Sequence, residues 1–538
     1  MVPSGEDSCW ARTAPGRGAE FVPIARPFSN FDFVERRFQG IVTLRRILSQ
    51  VRQHDGKTAV IEEIEESRDL QQENEDIKTR YPMFSSSHAY RVTFFTTPFS
   101  TIDELSKVKQ GDFIGYAIIK EDNIPGMGPE VRVYESVLKP SRRVNNFIRG
   151  QSEWTCLVSG HIFKIDGYLY AQQNNITNVC AHVALRTAAC RFHAGGDMTY
   201  REMNQLIGVD HVNRKVGRVE NGSLGLDTVE MRTILEAAGT RTIVVDYAVP
   251  SQSGVIAPFQ KVLYGSIESG FPAIVVFQTA DDPRTCHAIP VFGHTFNEDT
   301  WVYRAESSYF QVGPQTSYIQ SESWVSMYIA HDDNWGSNFC VPRRYLHTRS
   351  FCDKVQEQAC QMDKGCVLYV IGTYPKEVLM NALQAEVVGA GYLFTILPQL
   401  PDMSEVWRKR LCDYAKNSQL ILRPILLKTQ DYSKHMANIS DWNGRKLGFD
   451  FPGMRDRWLW MVELSVPELF SANLRKVGEV VLEAEVKPQP EPDFKNFLFA
   501  RLPGYFAMYR GGGRDKPRYD FIPCNLTNHV ELYGCEEA

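Results

Sequence analysis

Apolar and polar positions along this chain repeat with two periods, and the points where one gives way to the other mark its elements. Residues 33–51 repeat at helical spacing, with a break at Gly40. Residues 58–61 read as a strand leading into Glu62-Glu63-Ile64-Glu65-Glu66, and the strongly polar stretch to Arg80 reads as a solvated helix. Residues 90–95 and 113–120 are β-branched and aromatic runs of strand type, and further strands are expected near 131–137 and 155–163. Beyond the polar turn residues Gln172-Gln173-Asn174-Asn175-Ile176-Thr177-Asn178, the positions Val183, Ala184, Leu185, Ala188 and Ala189 return to helical spacing. A helix therefore opens close to Cys180, with Thr177 or Asn178 as its cap. Thr199-Tyr200-Arg201-Glu202 is a capping-box pattern ahead of the apolar stripe Tyr200, Met203, Leu206 and Ile207, which Gly208 ends. A second helix is expected over 227–238, and strands over 242–247 and 272–277. Helices followed by strands give an α+β class.

Past residue 350 the pattern predicts a strand at 367–371, helices at 376–383 and 403–416, and strands at 458–464, 477–486 and 497–502. Lys487-Pro488-Gln489-Pro490-Glu491-Pro492 reads as a stiff, extended connector. The first 30 residues are rich in Gly, Pro, Ser and Arg without periodicity, as a flexible arm would be. The 538 residues exceed what one core organises. The expected division is an arm at 1–30, an α+β region at 31–150, a central domain at 151–345 and an α/β to β-rich region at 346–538.

Composition narrows the function classes. Hydrophobic residues at 43% and charged residues at 23% are ordinary for a soluble globular protein, and a net charge of −5 gives no electrostatic case for nucleic acid or an anionic membrane. The start has no signal-peptide pattern and no apolar run approaches the ~20 residues of a membrane span, so a cytoplasmic location is the default expectation. The twelve cysteines are scattered without a CxxC pair, which points to reduced thiols rather than a disulfide framework. Cys352, Cys360 and Cys366 are spaced too widely for a common zinc motif, and Gly511-Gly512-Gly513 lacks the flanking residues of a phosphate loop. No cofactor or metal is called for.

The chemistry centres on Cys180. In the first turn of a helix, unpaired backbone N–H groups and the positive dipole end favour a thiolate, the form in which cysteine is nucleophilic. A base is offered by His287, at the start of the apolar run His287-Ala288-Ile289-Pro290-Val291-Phe292. The run Tyr328-Ile329-Ala330-His331-Asp332-Asp333-Asn334-Trp335-Gly336 delivers two carboxylates into a turn, and either Asp332 or Asp333 could fix the imidazole tautomer. His182 is a lesser rival base, because side chains two apart on a helix point in different directions. A metal cluster of His287, His294, His331 and an Asp has no recognised ligand spacing.

This order of residues resembles the papain-like cysteine peptidases, and most closely their bacterial branch related to the domains that trim double-glycine leader peptides. The resemblance covers roughly residues 165 to 345. There a Gln precedes a Cys that opens a helix, and a strand carrying His leads to a strand ending in Asp or Asn. Asp333-Asn334-Trp335-Gly336 is similar to the Asn-Ser-Trp-Gly segment of papain relatives, which favours Asp333, with Asp332 in reserve. The family Gln usually lies six residues before the Cys; here Gln173 is seven before and Asn174 six, so either is a candidate oxyanion donor. The interval from His287 to Asp333 is longer than usual, which a strand around Thr300-Trp301-Val302-Tyr303 and a loop through Gly313-Pro314-Gln315 would account for. The resemblance implies a thiol-dependent hydrolase of peptide or isopeptide bonds acting on a protein or peptide. The same triad serves amidases and transamidases, and the domain could instead be a catalytically silent interaction module.

Overall fold

The computed structural model describes residues 10–24, 31–126, 128–140, 146–174, 176–209, 225–248, 257–279, 286–296, 308–312, 317–343, 345–346, 365–401, 405–438, 455–470, 474–488, 495–512, 517–524 and 529–535. The chain is mixed α and β, 30% helical and 39% strand, as the alternating periods predict. It packs as two discontinuous compact units, one of residues 1–240, 272–293 and 328–369, the other of 241–271, 294–327 and 370–538. The divisions expected at 30, 150 and 345 do not coincide with these units. A single sequence shows where elements begin and end but not which distant segments close one core.

In the first unit, β1 (Gly16–Pro23), β2 (Thr58–Ile64), β3 (Ser86–Phe95), β4 (Phe113–Ile124) and β5 (Gly128–Leu138) form an antiparallel sheet in sequential order. Both faces are covered. Tyr116 and Ile118 face a core shared with Trp154, Phe163 and Ile165, while Ala117 and Ile119 face one shared with Phe38, just past the helix Phe31–Arg37, and with Leu44, Ile47 and Val51 of the helix Val42–Gln53. Burial on both faces is why β4 reads as a nearly continuous apolar run rather than an alternating one. The strand expected over 155–163 is instead a hairpin of Ser152–Val158 and His161–Gly167, turned at Ser159 and Gly160, both with positive φ.

The expected arm is also ordered where it is described. Residues 16–23 pair with β2, and Arg12 is buried against Glu135 and Asp197. The helix Arg68–Arg80, expected to be solvated, buries Asp69, Leu70, Glu73 and Ile77. A second sheet places the strands Gly336–Pro342, Val325–Asp332, Cys286–Phe296 and Ala273–Gln278 side by side in that order.

In the second unit, Ile319–Gln320, Ile421–Lys428, Trp458–Ser465, Gly478–Glu483, Phe497–Leu502, Tyr505–Gly511 and Arg518–Pro523 form a sheet that is antiparallel apart from its first pair. The helix expected at 376–383 begins later, at Ala382, and runs to Ile396. Asn381 caps it by accepting the Gln384 N–H, and that cap, not the apolar run before it, sets the start. The segments 300–303, 313–315 and 489–492 lie outside the described residues. No helix among the described residues is long and apolar enough to cross a membrane.

Candidate active site

Cys180 is the first residue of the helix Cys180–Ala189, and every other residue of that helix is buried. Neither expected cap serves. Val179 is the N-cap residue, and its N–H donates to Nδ1 of His182 at 3.3 Å. The other ring nitrogen of His182 meets Asn204 Oδ1 at 3.0 Å, so this histidine closes the helix start and is not offered to the thiol. Arg186, a buried cation of this helix, pairs with Asp197 at 2.8 Å and Glu135 at 2.7 Å. Arg12 joins both carboxylates. Burial works against the charge of Asp197, but the two guanidinium groups outweigh it and hold the carboxyl down at about 2. The Cys180 helix is thus clamped by a buried four-charge cluster.

The loop before Cys180 is built around Asn174, which is 1% exposed. Its Oδ1 accepts the N–H groups of Ile176, Thr177 and Asn178 at 2.9, 2.8 and 3.2 Å. Its Nδ2 donates to Glu73 Oε1 at 2.8 Å and Thr177 Oγ1 at 2.9 Å. Both amide hydrogens are occupied within the protein, so Asn174 shapes the loop and is not an oxyanion donor. Gln172 is likewise structural, its Oε1 accepting from Thr43 Oγ1 and the Val133 N–H. Gln173 is half-buried, and its side chain makes no hydrogen bond among the described residues. The available donors are therefore Gln173 and the Cys180 N–H, one of the first-turn groups without an intrahelical acceptor.

Glu73 is the residue that the polar pattern concealed. Its Oε1 accepts from Asn174 and, at 3.4 Å, from Asn178, while Oε2 takes Lys120 at 2.7 Å and Arg132. A sequence signal existed: Leu70, Glu73 and Ile77 fall on one helical face, so the glutamate stands in an apolar stripe.

His287 is the second residue of the strand Cys286–Phe296, and Asp332 ends the strand Val325–Asp332 beside it. His287, Asp332 and Asp333 are 7%, 5% and 4% exposed, and Cys180 is half-buried. Nε2 of His287 lies 3.4 Å from Oδ2 of Asp332 and 3.3 Å from Oδ1 of Asp333. These are ion-pair separations without hydrogen-bond alignment, because Nε2 and both oxygens of Asp333 lack any aligned partner. Cys180 also acts on the ring, and with Nε2 turned to the carboxylates, Nδ1 is the nitrogen left for the thiol. Burial opposes charge on the ring, but Asp332, Cys180 and Asp333 outweigh it and raise the imidazole to about 11. Burial, and then repulsion from Asp332, push the Asp333 carboxyl up to about 6 against the pull of His287.

The turn that presents the carboxylates is fixed from several sides. Asp332 Oδ1 accepts the N–H groups of Asn334 and Trp335 at 2.9 and 3.1 Å. Tyr170 OH donates to the Asp333 carbonyl at 3.4 Å. Gly336 has φ of +110°, and a Cβ there would stand 2.8 Å from Cβ of Arg46, so the close approach of the helix Val42–Gln53 requires glycine. That helix then holds Ser337 and Asn338 through Arg46 and Gln50. His331 donates to the Tyr168 carbonyl and accepts the Asn338 N–H; burial keeps it neutral, at about 3, despite that carbonyl. His294 meets Glu268. A cluster of His287, His294 and His331 does not form among the described residues, and the nine described cysteines are all free thiols.

The structure brings together Cys180, His287, Asp332 and Asp333. A nucleophile at a helix start, a base beside it and carboxylates behind the base can carry acyl transfer. No family model, no curated protein and no solved structure matches the chain.

Proposed function

We propose that this protein is a thiol-dependent hydrolase with a papain-like arrangement, cleaving a peptide or isopeptide bond through Cys180 and His287. The observation that carries the reading is the meeting of a helix-start cysteine with an imidazole backed by two buried carboxylates. In this mechanism Cys180 attacks the carbonyl carbon, and His287 accepts the thiol proton and later delivers it to the leaving nitrogen. Asp332 and Asp333 orient the ring and stabilise its charged form. The Cys180 N–H and Gln173 face the oxyanion of the tetrahedral intermediate. Water then repeats the cycle on the acyl-enzyme. The resemblance to papain-like peptidases supports the same assignment.

The test is alkylation of the full chain by iodoacetamide at neutral pH, read peptide by peptide, with exposed Cys286 as the internal reference thiol. Cys180 should react faster than Cys286, and His287→Ala should slow it by about 100-fold, the scale of a lost general base. Equal rates at the two cysteines, unchanged by His287→Ala, would instead mark a silent domain whose role is binding.

A further inference from the structure

We propose that the side of His287 facing Asp332 and Asp333 binds a divalent transition ion of the zinc class.

Three side chains each offer one ligand atom here, and these atoms lie within 4.8 Å of one another. Asp333 is buried with neither oxygen in an aligned hydrogen bond, and Nε2 of His287 faces it at ion-pair distance, itself without an aligned acceptor. Leaving such atoms unsatisfied in the interior is costly, and a cation is one way to satisfy all of them at once. The separations of 3.4 and 3.3 Å are too long for charge-assisted hydrogen bonds, which run about 2.7–2.9 Å. They match the ligand-to-ligand edge of a tetrahedron with bonds of about 2.0–2.1 Å, which is roughly 3.3–3.4 Å. One imidazole nitrogen with two carboxylate oxygens suits zinc-class ions, whereas calcium and magnesium take about six or more oxygens. Three protein ligands leave a fourth position for water.

Binding forms an Nε2–metal bond and breaks Nε2–H, the proton leaving to solvent, so the ion takes the place of that proton between the ring and the two carboxylates.

The experiment uses metal-free full-length protein. Cys180→Ala, which cannot contribute a thiolate at this place, is titrated with Co²⁺ and its visible absorption followed, and Zn²⁺ binding is measured by dialysis. One equivalent should bind with the absorption of a four-coordinate ion, and adding Asp333→Asn or, separately, Asp332→Asn should weaken it by at least about tenfold. Circular dichroism confirms that each variant is folded. Metal binding by Cys180→Ala that both aspartate substitutions leave unchanged overturns the site.

Discussion

The strand Cys286–Phe296 carries two buried histidines, each beside an acidic partner, and the two pairs are built in opposite ways. His294 meets Glu268 at 2.8 Å, and the second oxygen of Glu268 accepts Nε of Arg423 at 3.0 Å. Arg423 continues to Glu463, Lys476 bridges Glu463 and Glu479, and Arg501 closes on Glu479. Burial works against the charge of Glu268, but Arg423 and His294 outweigh it and hold the carboxyl at about 2. Every acid in this chain of alternating charges has a cation. His287, by contrast, sees two carboxylates for one ring, and although Asp332 is held by its turn, Nε2 and both oxygens of Asp333 are left without an aligned hydrogen bond. A buried ion network whose oxygens are all taken is scaffold; one left partly unsatisfied is available for chemistry.

The sharpest way to break this contrast is to remove Glu268. Glu268→Ala leaves Arg423 with one acid instead of two and should cost about 3–5 kcal/mol in urea unfolding, with Cys180 alkylation unchanged. The effect should depend on acidity in a set direction. Glu268 is held below its ordinary 4.5, so its contribution is present above about 4.5 and lost as pH falls toward about 2; the gap between wild type and variant should close over that window. Next in size is Glu73→Gln, which weakens the acceptor under Asn174 and Asn178. Alkylation of Cys180 should slow by about tenfold, as expected when a supporting residue loosens a reactive group, and Glu73→Asp should recover part of it. If Glu73→Gln lowers stability without touching alkylation, the residue is scaffold after all. The smallest effect is expected from Asp333→Asn on stability, less than about 1 kcal/mol. Removing a carboxylate that accepts no hydrogen bond offsets the lost attraction to His287. A large loss there would mean that the His287 cluster is as structural as the His294 one.

The same contrast explains what could be read from the amino acids. The helix at Cys180, the strand at His287 and the turn at Asp332 were legible because each sits where polar turn residues meet an apolar run. The cap was not, because the partner of the Val179 N–H is a histidine three residues inside the helix rather than the usual Ser, Thr or Asp at its edge. Glu73 and Arg12 were misread for a common reason. A charge buried by reciprocal pairing looks in sequence like a charge in water, and only its neighbours in space tell them apart. Asn174 was read as an oxyanion candidate beside Gln173, because spacing alone does not show that both its amide hydrogens are already used. The division into units was hidden because each unit is made of three segments that the chain interrupts with segments of the other.

That interleaving has a consequence for how the protein comes into being. Translation delivers Cys180 first, His287 more than a hundred codons later, and the two aspartates last, with the final segment of their unit ending at residue 369. A nascent chain that stops short of residue 328 holds a thiol and an imidazole but no carboxylate to orient them, and the strand bearing His287 still lacks the neighbour that ends in Asp332. Cys180 and His287 therefore meet their carboxylates only once the strand ending in Asp332 has emerged and paired.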